Sequence, residues 1–229
     1  MKVLEDGIVK IEALETAFAT CFPYTSLSAA SAEFSSLDVT ADQNEKVTKA
    51  VTTVLDAITS MTQDSQTLAT FLHLHIPKME DGNNFGVTVQ LALLKELSDL
   101  QEAVTKGVDD LSGYHGVRAE ALSKLSLPST SASVTKSTSV TTTDGKQEDK
   151  TSEAKEEKKS TSDTTGPVYS ARVSALVAVD TLYYAKAQRI FQSNFTLYLA
   201  ALDFLDKNKD KLEMPKGAGG ARSSYHSMY

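Results

Sequence analysis

Four histidines and one cysteine are the side chains of this 229-residue chain best suited to metal or nucleophilic chemistry. His73 and His75 are two positions apart in a helical pattern, hence about 200° apart around the axis, and cannot grip one ion together. Glu80 and Asp81 follow closely but add little to a ligand set. His115 and His226 have no nucleophile or carboxylate at a telling spacing. Cys21 precedes Phe22-Pro23 and reads as a small apolar side chain. As the single cysteine it excludes an internal disulfide framework and a thiolate zinc cluster. A reducing interior compartment, cytoplasm or nucleus, is the default expectation. Gly82 and Gly86 are followed by no Gly-Lys-Ser/Thr, so the segment is not a phosphate loop. Nothing in these spacings supports catalysis, and no metal or cofactor is expected.

Composition narrows the class further. The chain is 41% hydrophobic and 23% charged, close to an ordinary globular protein. Its net charge of -7 argues against nucleic-acid binding, which needs a positive footprint. No apolar run approaches the roughly 20 residues of a membrane-spanning helix, so no membrane partner is expected. The acids within MKVLEDGIVKIEAL are unlike the basic start and apolar core of a secretory signal.

The elements that must position any site read as helices. Leu4, Ile8, Ile11, Leu14, Phe18 and Cys21 recur at spacings of three and four, and Pro23 stops that helix. Tyr24 to Val39, rich in Ser and Ala, reads as a linker or a short irregular helix. Thr40 with Gln43, or Asp42 with Glu45, fits a capping box that opens the next helix. Its stripe is Val47, Val51, Val54, Ile58, Met61, Leu68 and Leu72, and Pro77 ends it after Ile76. Val89, Leu93, Leu97, Leu100, Val104, Val108 and Leu111 mark a third helix from Phe85 to about Leu125. Val173, Leu176, Val179, Leu182, Tyr183, Ile190, Phe195, Tyr198, Leu202 and Leu205 mark a fourth, running to about Leu212.

Between them, Pro128 to Gly166 is different material. Of its 39 residues 18 are Ser or Thr, and it has no Leu, Ile, Phe or Tyr. Such a segment cannot bury enough apolar surface to offset its ordering entropy, so it reads as a disordered insert. The division is then 1–127 for three helices, with a helix at 40–76, a loop at 78–86 and a helix at 85–125. The insert follows at 128–166, the fourth helix at 167–214 and a flexible tail at 215–229. The fold expected is all-α, an elongated up-down four-helix bundle. Helices apolar on more than one face need neighbours beyond their own chain, which points to a symmetric oligomer.

One connection is unusual. Pro77 to Val87 joins two long helices with roughly eight or nine residues, where an αα-hairpin needs only about two to five. Asp81-Gly82-Asn83-Asn84 is rich in residues that tolerate positive φ or bond the backbone, and Asn84 can cap the helix that follows. A well-capped turn is one reading. Lys78, Met79, Glu80 and Asp81 crowded at a bundle tip suggest a loop shaped to touch something.

The run Ile76-Pro77-Lys78-Met79-Glu80-Asp81-Gly82-Asn83-Asn84-Phe85-Gly86-Val87-Thr88-Val89-Gln90 closely resembles the activation-loop motif of the 11S (REG) proteasome activators. About fourteen positions match in one window, far more than a lone glycine pattern would offer. Other similarities fall in order: Phe22-Pro23 after the first helix, Leu111-Ser112-Gly113-Tyr114-His115 in the third, and Asn194-Phe195 and Met214-Pro215-Lys216-Gly217 in and after the fourth. The chain closes on Ser227-Met228-Tyr229, like the family's apolar-Tyr terminus.

The resemblance implies a heptameric ring of four-helix protomers seated on the α-subunit ring of the 20S proteasome. It implies C-terminal tails, here ending in Ser227, Met228 and Tyr229, that enter pockets between α subunits. It also implies activation loops, here Lys78, Met79, Glu80, Asp81, Gly82, Asn83, Asn84, Phe85 and Gly86, that open the gate without ATP or ubiquitin. Asn83 matches the position most tied to activation, and Glu80, Asp81, Gly82 and Asn84 would hold the loop's shape. Two departures stand out. The charged insert lies between the third and fourth helices rather than between the first and second. The tail after Pro215 is longer and richer in glycine than the family pattern. In an up-down bundle the insert still emerges opposite the loop. A ring of one chain or a mixed ring both fit. The competing class is an oligomeric helical scaffold whose charged insert recruits partner proteins.

Overall fold

The computed structural model describes residues 2–79, 82, 84–125 and 167–216. Its elements are all helical: α1 Lys2–Cys21, α2 Leu27–Ser36, α3 Glu45–His75, α4 Phe85–Ser112, α5 Tyr114–Leu125, α6 Pro167–Lys207 and α7 Lys209–Glu213. The expected insert at 128–166 lies outside the described residues. The described chain is an all-α bundle whose three long pillars, α3, α4 and α6, each pack on the other two. The fourth position belongs to α1, which lies on α3 and α6.

Direction follows from which residues meet. Ser65 of α3 donates to the Leu97 carbonyl of α4 and Asn44 lies near Tyr114, both bonded to Asp180, so α3 and α4 run opposite ways. Asn44 of α3 reaches Asp180 of α6 while Asp64 reaches Tyr198, so those two run the same way. Lys10 of α1 meets Asp64, and Phe18 stacks on Phe191, which sets α1 antiparallel to both. The order is therefore up, down, up, down, as the sequence leads one to expect for a four-helix bundle. At 31 residues α3 is about 46 Å long.

The packed faces explain the pillars. All seven residues of the expected α3 stripe are buried, joined by Ala50, Ala57 and Ser65. On α4, Val89, Leu93, Leu97, Leu100, Val104 and Leu111 are buried, whereas Val108 is partly exposed. On α6 Leu182 stands outside, and Tyr184, Ala187 and Phe191 are inside instead. Apolar residues surround α6, so a period of 3.6 does not select one face. Each fully buried Leu or Phe contributes roughly 1.5–3 kcal/mol. Tyr184 also donates to the Cys21 carbonyl, tying the end of α1 to α6.

Several boundaries differ from expectation. Residues 27–36 form a regular helix capped by Ser26, whose hydroxyl accepts from the Ala29 N–H at 3.2 Å. α3 opens on Asn44, not on Thr40 or Asp42. Asp38 accepts from the N–H and hydroxyl of Thr40 and holds that segment in a turn, while the Asn44 side chain accepts from Val47 N–H at 3.4 Å. The long third helix is divided at Gly113 into α4 and α5, and the fourth at Asn208 into α6 and α7.

The end away from the 76–84 connection is closed by a buried charge. Asp180 accepts from Arg118 Nε at 3.1 Å, from the Tyr114 hydroxyl at 3.0 Å and from Asn44 Nδ2 at 3.0 Å. Arg118 also donates to the carbonyls of Ala41 and Asp42. Burial, then the Asp180 charge and the bond to it, push the Tyr114 phenol well above its usual range. Beyond this knot α5 and the start of α6 lie side by side around a shallow cavity lined by Val117, Ala121, Lys124, Arg172, Ala175 and Val179. Both flanks of 126–166 thus leave from the end opposite the loop.

Candidate functional site

The site is built where α3 stops. His75 is the last residue of α3, and Ile76 turns to φ -72°, ψ 114°, the extended backbone required before Pro77. His75 does not face a ligand: its ring stacks on Phe71 at 4.1 Å and Nδ1 lies 2.7 Å from the Phe71 carbonyl. Among the described residues no group of His, Cys, Asp and Glu could hold a metal ion. No helix among them is long and apolar enough to cross a membrane.

Lys78 and Met79 leave the bundle exposed. Gly82 has φ +135°, a region closed to side chains with a Cβ, which is why glycine stands there. Glu80, Asp81 and Asn83 lie outside the described residues. Asn84 occupies the N-cap position of α4, but the side-chain cap expected of it is not made. Its carbonyl instead accepts from the Thr88 N–H at 3.0 Å and hydroxyl at 3.3 Å, which starts the helix. Phe85 projects outward, 60% exposed, with the Lys211 ammonium 4.5 Å from its ring centroid.

Gly86, which the sequence already places in the loop, and Gln90, which sequence reasoning did not single out, hold this end together. Gly86 is buried against the chain that follows α7: a Cβ on it would stand 2.1 Å from the Pro215 carbonyl oxygen. Gln90 is fully buried, and its amide donates to the Leu212 carbonyl at 2.9 Å and to the His75 carbonyl at 3.4 Å. One side chain thus joins the end of α3, the start of α4 and the end of α7. A polar residue on the apolar face of α4, between Val89 and Leu93, was the available signal. Exposed apolar residues gather at the same end: Leu74 is 77% exposed, Met79 57% and Met214 56%. The terminal Ser227, Met228 and Tyr229 lie outside the described residues, but their root at Pro215 is beside the loop.

Among the described residues this end gathers no set of side chains that could hold a metal ion. It presents a loop with a glycine-only turn, an outward aromatic and the root of the tail on one face.

Comparison with known proteins is consistent with that arrangement. Residues 40–129 match the family described as proteasome activator PA28, C-terminal. The chain is 30% identical over 82 residues to human proteasome activator complex subunit 3, covering 36% of this chain and 32% of that one. It is 38% identical over 55 residues to proteasome activator 28 of Dictyostelium discoideum, 24% of either chain. These alignments span about a third or less of the curated relatives. The fold is similar to the crystal structure of the 11S subunit of the Plasmodium falciparum proteasome, PA28, with TM-score 0.53 and 18% identity over 76% of this chain and 58% of that one. The family match covers α3, the loop and α4 together, and the helical fold and the motif 76–90 are likewise similar to those of the 11S (PA28) proteasome activators.

Proposed function

We propose that this chain is the subunit of an ATP-independent activator of the 20S proteasome. A ring of about seven copies docks on the α-subunit ring through tails ending in Ser227, Met228 and Tyr229. Loop residues 78–86 then press the gate open and speed the passage of peptides. The observation that carries the reading is that the root of the tail, Pro215, and the leg of the loop, Gly86, meet at one end of the bundle. A protein that must grip and push the same target needs both devices on one face.

The division of labour follows from physical chemistry. One tail with a single carboxylate and a few apolar contacts binds weakly, and several tails on one ring bind by avidity. Affinity alone opens nothing, because a ligand shifts an equilibrium only by its differential affinity for the two states. The loop supplies that difference. Exposed apolar side chains along the pillars, Ile8, Val9, Leu91, Val108 and Leu182 among them, support a ring of like copies. A ring of one chain is the simplest assembly, and a mixed ring uses the same surfaces. The chain works in the cytoplasm, the nucleus or both, without cofactor, nucleic acid or membrane.

The test is peptide hydrolysis by latent 20S proteasome with and without the purified chain. Several-fold stimulation, with no hydrolysis by the chain alone, is expected. Rings that leave the proteasome's rate unchanged at saturation would refute the reading, and hydrolysis by the chain alone would make it an enzyme.

A further inference from the structure

The root of the tail and the leg of the loop are one piece of structure. A Cβ at Gly86 would also lie 2.4 Å from Pro215 Cα and 2.6 Å from its carbonyl carbon. These are backbone atoms that cannot swing aside as a side-chain end does, so position 86 admits only hydrogen while Pro215 keeps its place. Gln90 lies one turn further on, near the same face of α4. Its two donated bonds go to carbonyls at the ends of α7 and α3, groups that have no partner inside their own helices. Lys211 covers the outward ring of Phe85. The first turn and a half of α4 is therefore held from outside by residues 211–215.

We propose that residues 211–215 form a clasp that sets the position of the loop's C-terminal leg, with Gly86 and Gln90 as its positioning residues. The inference deepens the activator reading and rests on it for its consequence. The first turn of a helix lacks intrahelical partners for its N–H groups and frays unless something outside holds it. The clasp is that restraint. A tail drawn into a docking pocket pulls on the chain at Pro215, and Pro215 bears on Gly86. Tail occupancy and loop position are therefore coupled, and the tail root does more than lead the terminus to its pocket.

The experiment compares the intact chain with chains ending at Lys216 and at Asp210, and with Gly86→Ala and Gln90→Leu. Circular dichroism and ring mass come first, so that only folded rings are compared. Amide exchange is then read at Thr88, Val89 and Gln90. The chain ending at Lys216 keeps the clasp and exchanges there like the intact chain. The chain ending at Asp210 and Gly86→Ala exchange there about tenfold faster, by local opening of that turn. In peptide hydrolysis, Gly86→Ala and Gln90→Leu keep a half-saturating ring concentration within about twofold of the intact chain, yet lower the maximal stimulation about fivefold, the pattern of a lost opening step rather than lost binding. If Gly86→Ala or the Asp210-ended chain makes no ring, Gln90→Leu decides. Unchanged exchange in every folded variant, or weaker binding with an unchanged maximum, overturns the clasp. If the intact chain never stimulates, the activator reading fails, and the exchange measurement still decides whether the clasp exists.

Discussion

The two ends of the bundle are closed by opposite chemistry. At the end from which 126–166 departs, a carboxylate and a guanidinium are buried together, Asp180 and Arg118, with side chains only 5% and 3% exposed. Three donors converge on Asp180, and Arg118 has two further carbonyls to satisfy. At the loop end the central group is the neutral amide of Gln90, and its Oε1 has no partner among the described residues. The first end turns these polar groups inward, with Val117 and Val168 exposed on the helices beyond them. The second spends one amide on holding three helix ends and leaves Phe85, Met79 and Met214 outward. A buried ion pair and a neutral buried amide thus close different ends of one molecule.

The largest effect should come from breaking the charged end. Asp180→Ala leaves Arg118 buried without its counterion, a change of about 3–5 kcal/mol in equilibrium unfolding by denaturant. Gln90→Leu removes donors to two helix-end carbonyls without stranding a charge, so it should lower stability by only about 1–3 kcal/mol in the same assay. Equal losses for the two would erase the contrast between the ends.

Alkaline pH sharpens it. Burial pushes the Tyr184 phenol up to about 12, and Tyr114 and Tyr198 are raised further, by burial first and then by Asp180 and Asp64 respectively. Above about pH 10 the unfolded chain releases phenolic protons that the folded chain keeps, so the unfolded state binds fewer protons and stability falls as pH rises. Each such group can contribute at most about 1.4 kcal/mol per pH unit. Thermal melts from pH 8 to 11 should fall only above about pH 10, and Tyr114→Phe should flatten that fall. Tyr114 belongs to the charged end, so the loop end should be unaffected by this substitution at neutral pH. A melt unchanged up to pH 11 would show that these phenols are not held protonated by the fold.

The smallest effect should come from replacing residues 129–165 by a short Gly/Ser linker. Ring mass, melting temperature and stimulation should all stay close to those of the intact chain, because both flanks leave from the closed end. Loss of the ring would mean that the segment packs against the bundle.

How much of this was legible in the sequence depended on whether a signal was local. The stripe of α3 is readable because its other face is polar. α6 is not, because Leu182 and Tyr184 are equally apolar and only the neighbouring helices decide which one turns inward. The stop at Pro77 and the glycine at 82 follow from backbone rules that involve few residues. The cap of α3 was misplaced because Asn44 is fixed as much by Asp180, 136 residues away, as by the helix it starts. Asp180, Arg118 and Gln90 look like ordinary polar residues until the partners that bury them arrive from distant segments. The loop motif was recognisable as a pattern, whereas the contact of Gly86 with Pro215 joins positions that no spacing rule relates.

The central claim is that the loop end grips and opens by separate means, and one paired assay tests it directly. Rings carrying Asn83→Tyr and rings lacking Met228 and Tyr229 are each mixed with 20S proteasome, and co-sedimentation is measured beside peptide hydrolysis. The account predicts that Asn83→Tyr rings bind like the intact chain but give little stimulation. Rings without the terminal pair bind poorly at the same concentration and recover part of their stimulation when more is added. Normal stimulation by Asn83→Tyr rings would contradict the account and leave residues 78–86 as no more than a turn between two helices.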